Sequence, residues 1–133
     1  MSYLLDTNIC VYWLKGNERI ENKALSVGLD KLAISFINLS ELYYGAYKSE
    51  RKVENLAAIQ KILDRIDIVD SSDEVCRRFG ELKAQLGKEG KIIDDADLFI
   101  AACAIEHELT LVSNNEKHFS RINGIKLENW TCE

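Results

Sequence analysis

The chain has 133 residues, of which 47% are hydrophobic, and it carries 17 Lys and Arg against 22 Asp and Glu, a formal net charge of −5. A chain of this length buries roughly two thirds of its unfolded surface on folding, so an ordinary hydrophobic core suffices, and this composition excludes disordered and collagen-like structure. The excess of acids argues against a protein that holds nucleic acid through net positive charge, but it leaves open an enzyme whose acids bind cations.

We expect a cytoplasmic protein without a membrane span. The apolar runs, such as residues 9–14, are far shorter than the ~18 residues that a membrane span needs, and residues 1–5 lack the basic start and the cleavage site of a signal peptide. No CxxC pair or metal-binding spacing occurs among the cysteines, which are Cys10, Cys76, Cys103 and Cys132. We therefore expect reduced thiols and no disulfide, as is usual in the cytosol.

Apolar periodicity alternates between short strand-like runs and longer helical runs, which is typical of an α/β domain around a mostly parallel sheet. The first predicted strand, over 3–5, precedes a helix that Asp6, Thr7 or Asn8 can cap and that ends at Gly16. The elements predicted next in chain order are a helix over 18–27, a strand over 32–35, and helices over 40–47 and 51–66.

The second half of the chain repeats the alternation. Its predicted elements are a strand over 66–69, a helix over 73–88, a very apolar helix that begins near Asp94, a strand over 109–112, a turn over 113–115, a short helix over 116–122 and an edge strand over 125–127. No internal repeat, linker or low-complexity segment interrupts this order. We therefore expect a single domain over residues 1–133.

Three acids lie in apolar surroundings, where an unpaired carboxylate is costly. Asp6 directly follows the first strand, Glu41 lies in an apolar and aromatic helix, and Asp97 opens the most apolar helix. Residues beyond the carboxyl ends of parallel strands meet in one crevice, so Asp6 should lie there, and Glu41 and Asp97 can converge on it. For any one of these acids the alternative is a solvated surface charge.

Carboxylates without a supporting His or Cys cluster favour Mg²⁺ or Mn²⁺, which retain several waters and commonly also bind a substrate phosphate. Metal-assisted hydrolysis of a phosphodiester bond is the chemistry that such a site favours, because the ion polarises a phosphoryl oxygen and activates a water. The helix dipole at the first turn is expected to favour the ionised form of Asp97 and so to keep it ready as a ligand.

An ordered set of motifs resembles the PIN domain, and more narrowly the VapC-type toxins of bacterial toxin–antitoxin pairs. The set spans nearly the whole chain at family-like spacing, and its order makes it more specific than any one motif. Its members are LLDTN at 4–8, SELYYGA at 40–46, DLFIAA at 97–102, LVSNN at 111–115, HF at 118–119 and LENW at 127–130.

The resemblance implies a PIN-like three-layer α/β/α sandwich with a short, mostly parallel central sheet flanked by helices. It also implies a Mg²⁺- or Mn²⁺-dependent endoribonuclease that is silenced by a cognate antitoxin protein and is commonly dimeric. Related toxins cut transfer RNA, which is the substrate expected here, and others cut ribosomal RNA. By position, Asp6, Glu41 and Asp97 correspond to the three core acids of the family, which bind the metal and act in catalysis.

The chain departs from the family pattern at the turn after the fourth strand. The fourth acid of many PIN domains falls at Asn115 here, with Glu116 one residue further. Such Asn-Asn turns are familiar among VapC-type proteins, so activity is still expected. A neutral amide contributes less to a cation than a carboxylate, so the departure bears on the second metal ion rather than on the first.

Other positions near the core acids admit two interpretations. Asp94 or Asp95 can cap the apolar helix, and the alternative for Asp95 is that it supplements the metal site. Thr7 can cap the first helix or orient a metal-bound water or a phosphate. His107 and His118 are predicted to be surface or half-buried residues, since neither lies at a spacing from Cys or carboxylate that favours zinc.

The sequence excludes some functions other than metal-dependent RNA cleavage and leaves others open. A phosphatase of the HAD type needs a second Asp two residues after the first, where Asn8 stands, and no GxxxxGK phosphate-binding loop occurs. The remaining alternatives are a non-catalytic PIN-like module that binds RNA or protein, and an RNA-processing nuclease outside any toxin pair. The densest basic segment, 77–91, is diluted by its own acids, so we expect weak, salt-sensitive RNA binding.

Overall fold

The computed structural model describes residues 1–131 and contains a five-stranded sheet. The strands are β1 (Tyr3–Leu5), β2 (Leu32–Ser35), β3 (Asp67–Val69), β4 (Thr110–Val112) and β5 (Lys126–Glu128). All neighbouring pairs are parallel, in the order β3-β2-β1-β4-β5. Because β1 lies between β2 and β4, the chain changes direction of winding at β1, and the crevice of such a sheet opens at the carboxyl end of that strand.

Helices connect the strands and cover both faces of the sheet. They are α1 (Thr7–Leu14), α2 (Glu18–Val27), α3 (Phe36–Tyr47), α4 (Lys52–Leu63), α5 (Asp73–Lys88), α6 (Asp95–Glu106) and α7 (Glu116–Phe119), with a 3-10 turn at Leu29–Lys31. Across residues 1–131, none of these helices combines the length and the apolar character needed to cross a bilayer.

Two hydrophobic cores lie on opposite faces of the sheet, because successive strand residues point to opposite sides. Leu4 packs with α5, α6 and α7, whereas Leu5 packs with α1 to α4. In α6 the run from Ile100 to Ala104 is entirely buried, and Phe99 stacks on Phe79 of α5 with ring centroids 3.9 Å apart. The predicted three-layer α/β/α sandwich is therefore confirmed, and α6 is its central helix.

Most predicted elements are confirmed, and the differences lie at their ends. The helices over 18–27 and 73–88 match α2 and α5 residue for residue. The helix predicted over 40–47 begins four residues earlier, because Ser35 and Asn38 form a capping box directly after β2. The helices predicted over 51–66 and 116–122 are shorter, and they end at Leu63 and Phe119.

The described cysteines are free thiols, as predicted. Cys10 and Cys103 are fully buried, and burial raises the pKa of the Cys103 thiol to about 11. Both thiols are therefore protonated at neutral pH and unreactive. The prediction for Cys132 lies outside the described residues.

Candidate active site

Asp6 lies at the carboxyl end of β1 and caps α1. Its carboxylate is held at both oxygens: Thr7 N–H donates to Oδ1 at 2.9 Å, and the Ser113 hydroxyl donates to Oδ2 at 2.8 Å. Ser113 directly follows β4, the neighbour of β1, which brings residues 107 positions apart into contact. Asp6 is only 6% exposed. Burial raises the pKa of the Asp6 carboxyl, and the bonds from Ser113 and Thr7 partly offset that rise.

Glu41 is tethered to the residue beside Asp6. It lies on α3, and its Oε1 accepts a hydrogen bond of 2.5 Å from the Thr7 hydroxyl. The Thr7 hydroxyl oxygen in turn accepts from Asn38 Nδ2 at 3.1 Å. The structure therefore gives Thr7 a part beyond that of a helix residue, because its hydroxyl joins α1 to the carboxylate on α3.

Asp97 lies in the first turn of α6 with its side chain 22% exposed. Burial, followed by the charges of Asp6, Asp94 and Glu41, raises the pKa of the Asp97 carboxyl to about 6, and His118 opposes this rise. These contributions outweigh the helix dipole in setting the pKa of Asp97, but a carboxyl with a pKa of about 6 is still mostly ionised at pH 7 and above. The same electrostatics place Asp97 within the field of both other core acids.

The turn after β4 adds polar side chains to this crevice. Asn115 N–H donates to the Ser113 hydroxyl oxygen at 2.9 Å, and its side chain makes a 3.1 Å contact with Nδ1 of His118. The same Nδ1 is 4.0 Å from Oδ2 of Asp97. Continuous polar contacts thus run from Asp97 through His118, Asn115 and Ser113 to Asp6.

Of the other acids considered from the sequence, Asp95 and Glu116 face other partners. Asp95 Oδ1 accepts from Lys83 of α5 at 2.9 Å, and both side chains are more than half exposed. Asp94 occupies the N-cap position of α6 without a side-chain capping bond. Glu116 Oε1 accepts from the Asn129 side chain, just beyond β5, at 2.7 Å.

Sequence reasoning missed three side chains that the structure brings to the crevice. Asn38 and Ser113 are fully buried polar residues, and His118, which the sequence predicts only as a surface or half-buried residue, has its Nδ1 4.0 Å from Oδ2 of Asp97. Ser113 follows a buried strand directly, as Asp6 does, but its contact with Asp6 depends on β4 lying beside β1. The other two offered no comparable local signal.

The donor set fits a hard divalent cation. Asp6, Asp97 and Glu41 offer carboxylate oxygens, the ligands that Mg²⁺ and Mn²⁺ prefer. Over residues 1–131, however, no three His, Cys, Asp or Glu side chains stand close enough to form a ready-made metal cage. Mg²⁺ is usually bound by one or two carboxylates, waters and substrate phosphates, so the fit needs direct bonds from only part of this set.

Replacing Ser113 with Ala should destabilise the protein by about 1–3 kcal/mol, because a buried carboxylate oxygen loses its donor. The same change removes a bond that lowers the pKa of Asp6, so the pKa should rise further and Mg²⁺ should bind more weakly at a given pH. Urea unfolding and a Mg²⁺ titration measure the two effects. Ser120→Ala is the matched control, since the exposed Ser120 only donates to the Lys117 carbonyl. An equal loss of stability in both variants would contradict the prediction.

Comparisons with known proteins agree with this fold and crevice. A family model described as the PIN domain matches residues 3–125. The chain is 40% identical to ribonuclease VapC2 of Haemophilus influenzae, with 98% of each chain covered. It is 33% identical to the tRNA(fMet)-specific endonuclease VapC of Shigella flexneri, covering 98% of this chain and 99% of the relative.

A solved structure extends the similarity to three dimensions. It is the crystal structure of VapBC2 from Rickettsia felis bound to a DNA fragment of its promoter. One of its chains is 42% identical to this chain and superposes on it with a TM-score of 0.91, covering 98% of this chain and 99% of that one.

Proposed function

The chain belongs to the PIN domain family and, within it, to the VapC ribonucleases of toxin–antitoxin modules, and we propose that it cuts transfer RNA with a divalent cation held by Asp6, Glu41 and Asp97. The observation that carries the proposal is that Asp6 and Glu41 are both bonded to Thr7 and that the charges of both act on Asp97. The VapC relatives are named ribonucleases or endonucleases, which favours an enzyme over a non-catalytic binding module.

Each residue has a definable part in phosphodiester hydrolysis. A Mg²⁺ or Mn²⁺ ion held by these residues would polarise the phosphoryl oxygen and lower the pKa of its water. Asp6, buried and fixed at both oxygens, supplies a rigid ligand, and Asp97 supplies a second carboxylate whose negative surroundings favour a cation. Glu41 lies at the exposed side and binds directly or through a water. Asn115 replaces a fourth acid, so we propose that one cation suffices for the chemistry.

Transfer RNA is the substrate that we propose, because the similar Shigella flexneri protein is named a tRNA(fMet)-specific endonuclease. The surface predicts weak binding through charge. Three basic residues of α5 are paired with acids in the ion pairs Arg77–Asp73, Arg78–Glu106 and Lys83–Asp95. Exposed pairs of this kind contribute little and are screened by salt, so RNA must compete with them and its affinity should fall steeply with ionic strength.

The expected result of the direct test is discrete cleavage of transfer RNA in Mg²⁺ or Mn²⁺ and none in EDTA. Purified transfer RNA and ribosomal RNA are incubated separately with the protein free of antitoxin, and the products are separated on a denaturing gel. Cuts confined to ribosomal RNA would overturn the substrate and keep the ribonuclease. Equal cleavage with and without EDTA would overturn the divalent cation.

We also propose an antitoxin partner and a homodimer in the cytoplasm, where transfer RNA is found. Three similar solved structures, including that of Salmonella typhimurium VapBC bound to DNA, are named as VapBC complexes. A small open reading frame beside this gene is expected to encode the antitoxin, and its product should co-purify with this chain and suppress cleavage. Light scattering of the toxin alone tests the dimer. An active toxin that no neighbouring product binds would instead favour an RNA-processing nuclease.

A further inference from the structure

A hydrogen-bond relay runs from Ser35, at the end of β2, through buried Asn38 and Thr7 to Glu41. Oδ1 of Asn38 accepts from Ser35 N–H at 3.0 Å and from the Ser35 hydroxyl at 2.7 Å. Nδ2 of Asn38 donates to the Thr7 hydroxyl oxygen at 3.1 Å, and that hydroxyl donates to Glu41 Oε1 at 2.5 Å. Asn38 is fully buried, so water has no access to its amide.

The direction of every hydrogen bond in this relay is set by one backbone group, the N–H of Ser35. Ser35 N–H can only donate, so the amide of Asn38 must turn its oxygen toward Ser35. That orientation leaves the NH₂ group, which can only donate, facing Thr7. The Thr7 oxygen therefore accepts from Asn38, and its single proton is left for Glu41. An exposed carboxylate on a flexible side chain is thus held, through Thr7, by a buried amide.

We infer that Asn38 is a positioning residue for the metal site: through Thr7 it orients the Glu41 carboxylate toward the cation held at Asp6 and Asp97. This inference rests on the proposed function, because it assigns Asn38 a part in that same site. Removing a group that hydrogen-bonds to a metal ligand and orients it commonly lowers metal affinity by about 10- to 100-fold. Asn38 differs from a purely structural capping residue in that its effect on the metal must pass through the Thr7 hydroxyl.

Two variants of Asn38 separate orientation from charge. Asn38→Asp exchanges the NH₂ group for an oxygen, which accepts from Thr7 and draws its proton away from Glu41. Asn38→Ser removes the amide without adding charge. The relay predicts about a tenfold rise in the Mn²⁺ dissociation constant for both variants, measured by EPR titration. Added negative charge alone would lower the Mn²⁺ dissociation constant of Asn38→Asp, whereas loss of the relay would raise it. The sign of the change in this variant therefore distinguishes the two causes.

The decisive measurement is a double-mutant cycle with Thr7→Val, which lacks the hydroxyl. If Asn38 acts through Thr7, then Asn38→Ser should change Mn²⁺ affinity by less than about twofold in the Thr7→Val background. A tenfold loss in both backgrounds would overturn the relay and leave Asn38 a structural capping residue. Thermal melts of each variant establish that the protein compared is folded.

A readout without metal or activity completes the test. In ¹⁵N NMR spectra of the metal-free protein, the buried side-chain NH₂ of Asn38 should exchange slowly with solvent, and Thr7→Val should accelerate that exchange. The exposed Asn55 side chain, which donates to Ser49, is the internal control and should not change. Fast exchange in the wild-type protein would contradict the relay. Wild-type protein that binds no Mn²⁺ would overturn the proposed function itself, whereas binding without coupling would overturn this inference alone.

Discussion

Replacing Asp97 with Asn should reduce metal-dependent RNA cleavage by at least about a thousandfold while leaving the fold intact. The side chain keeps its shape but loses the charge that binds the cation, and a catalytic metal supplies several kcal/mol of transition-state stabilisation. Rates are compared on transfer RNA in Mg²⁺ at saturating protein. Far-UV circular dichroism shows whether the helices are retained.

The same change should raise the melting temperature of the metal-free protein at pH 7.5. Burial and neighbouring acids raise the pKa of Asp97 from 3.8 to about 6. The stability that its protonated form contributes is therefore fully present below pH 3.8 and is lost as the pH rises through about 6. Above that value the ionised carboxylate is a cost that Asn removes. The gain in melting temperature should shrink as the pH is lowered and vanish near pH 4.

Asp95→Asn is the matched control for both measurements. Asp95 lies in the same helical turn, but its carboxylate is exposed and is bonded to Lys83. Cleavage should stay within about twofold of the wild-type rate, because an exposed ion pair contributes about 1 kcal/mol or less. Equal losses in the two variants would mean that the helix terminus as a whole is needed and that Asp97 has no special part. Wild-type activity in Asp97→Asn would remove this residue from the site.

Local sequence patterns predicted the alternation of strands and helices and singled out Asp6, Glu41 and Asp97, because both depend on short-range information. The apolar run over 3–5 ends at Asp6, and a carboxylate at such a strand end is recognisable without knowing the neighbouring strands. The nearly uninterrupted apolar run that follows Asp97 likewise identified the buried helix that carries this residue. These local patterns agree with the folded structure because the burial of apolar faces selects the fold.

The features that were missed depend on which strands are neighbours or on one polar side chain. Ser113 reaches Asp6 only because β4 lies beside β1, an order that no local pattern encodes. The predicted start of α3 at residue 40 is four residues too late, because Phe36 and Ile37 prolong the apolar run of β2. The capping box at that point uses Asn38 in place of the usual Glu or Gln, so its sequence signature was weak.

The acids also account for a specific cost in the metal-free protein. Asp6 is buried with its pKa raised, and Asp97 lies in its field. Ionised carboxylates at this edge of the sheet are therefore unfavourable, and a cation bound among them would offset that cost. A cation that binds the folded chain but not the unfolded chain must stabilise the fold in proportion to its affinity. Thermal stability thus reports on the site independently of any RNA.

Mg²⁺ should raise the melting temperature of the wild-type protein at pH 7.5, and Asp6→Asn should abolish the rise. At ten times the dissociation constant, one bound ion stabilises the fold by about 1.4 kcal/mol, or about 5 °C for a domain of this size. Asn is chosen because its oxygen still accepts from Thr7 N–H while its NH₂ group donates to the Ser113 oxygen. Asp6→Ala would also remove the helix cap, which costs about 1 kcal/mol and obscures the effect of the metal.

The comparison with sodium chloride of equal ionic strength decides whether the ion is bound or only screens charge. Screening would raise the melting temperature of the wild-type protein equally in the magnesium salt and in sodium chloride, and it would leave a similar rise in Asp6→Asn. Specific binding requires a saturating rise in Mg²⁺ or Mn²⁺ that is absent from the variant. If the wild-type protein shows no saturating rise well above millimolar Mg²⁺, the three acids do not form a cation site, and Asp6 serves chiefly to hold α1 and the turn after β4 together.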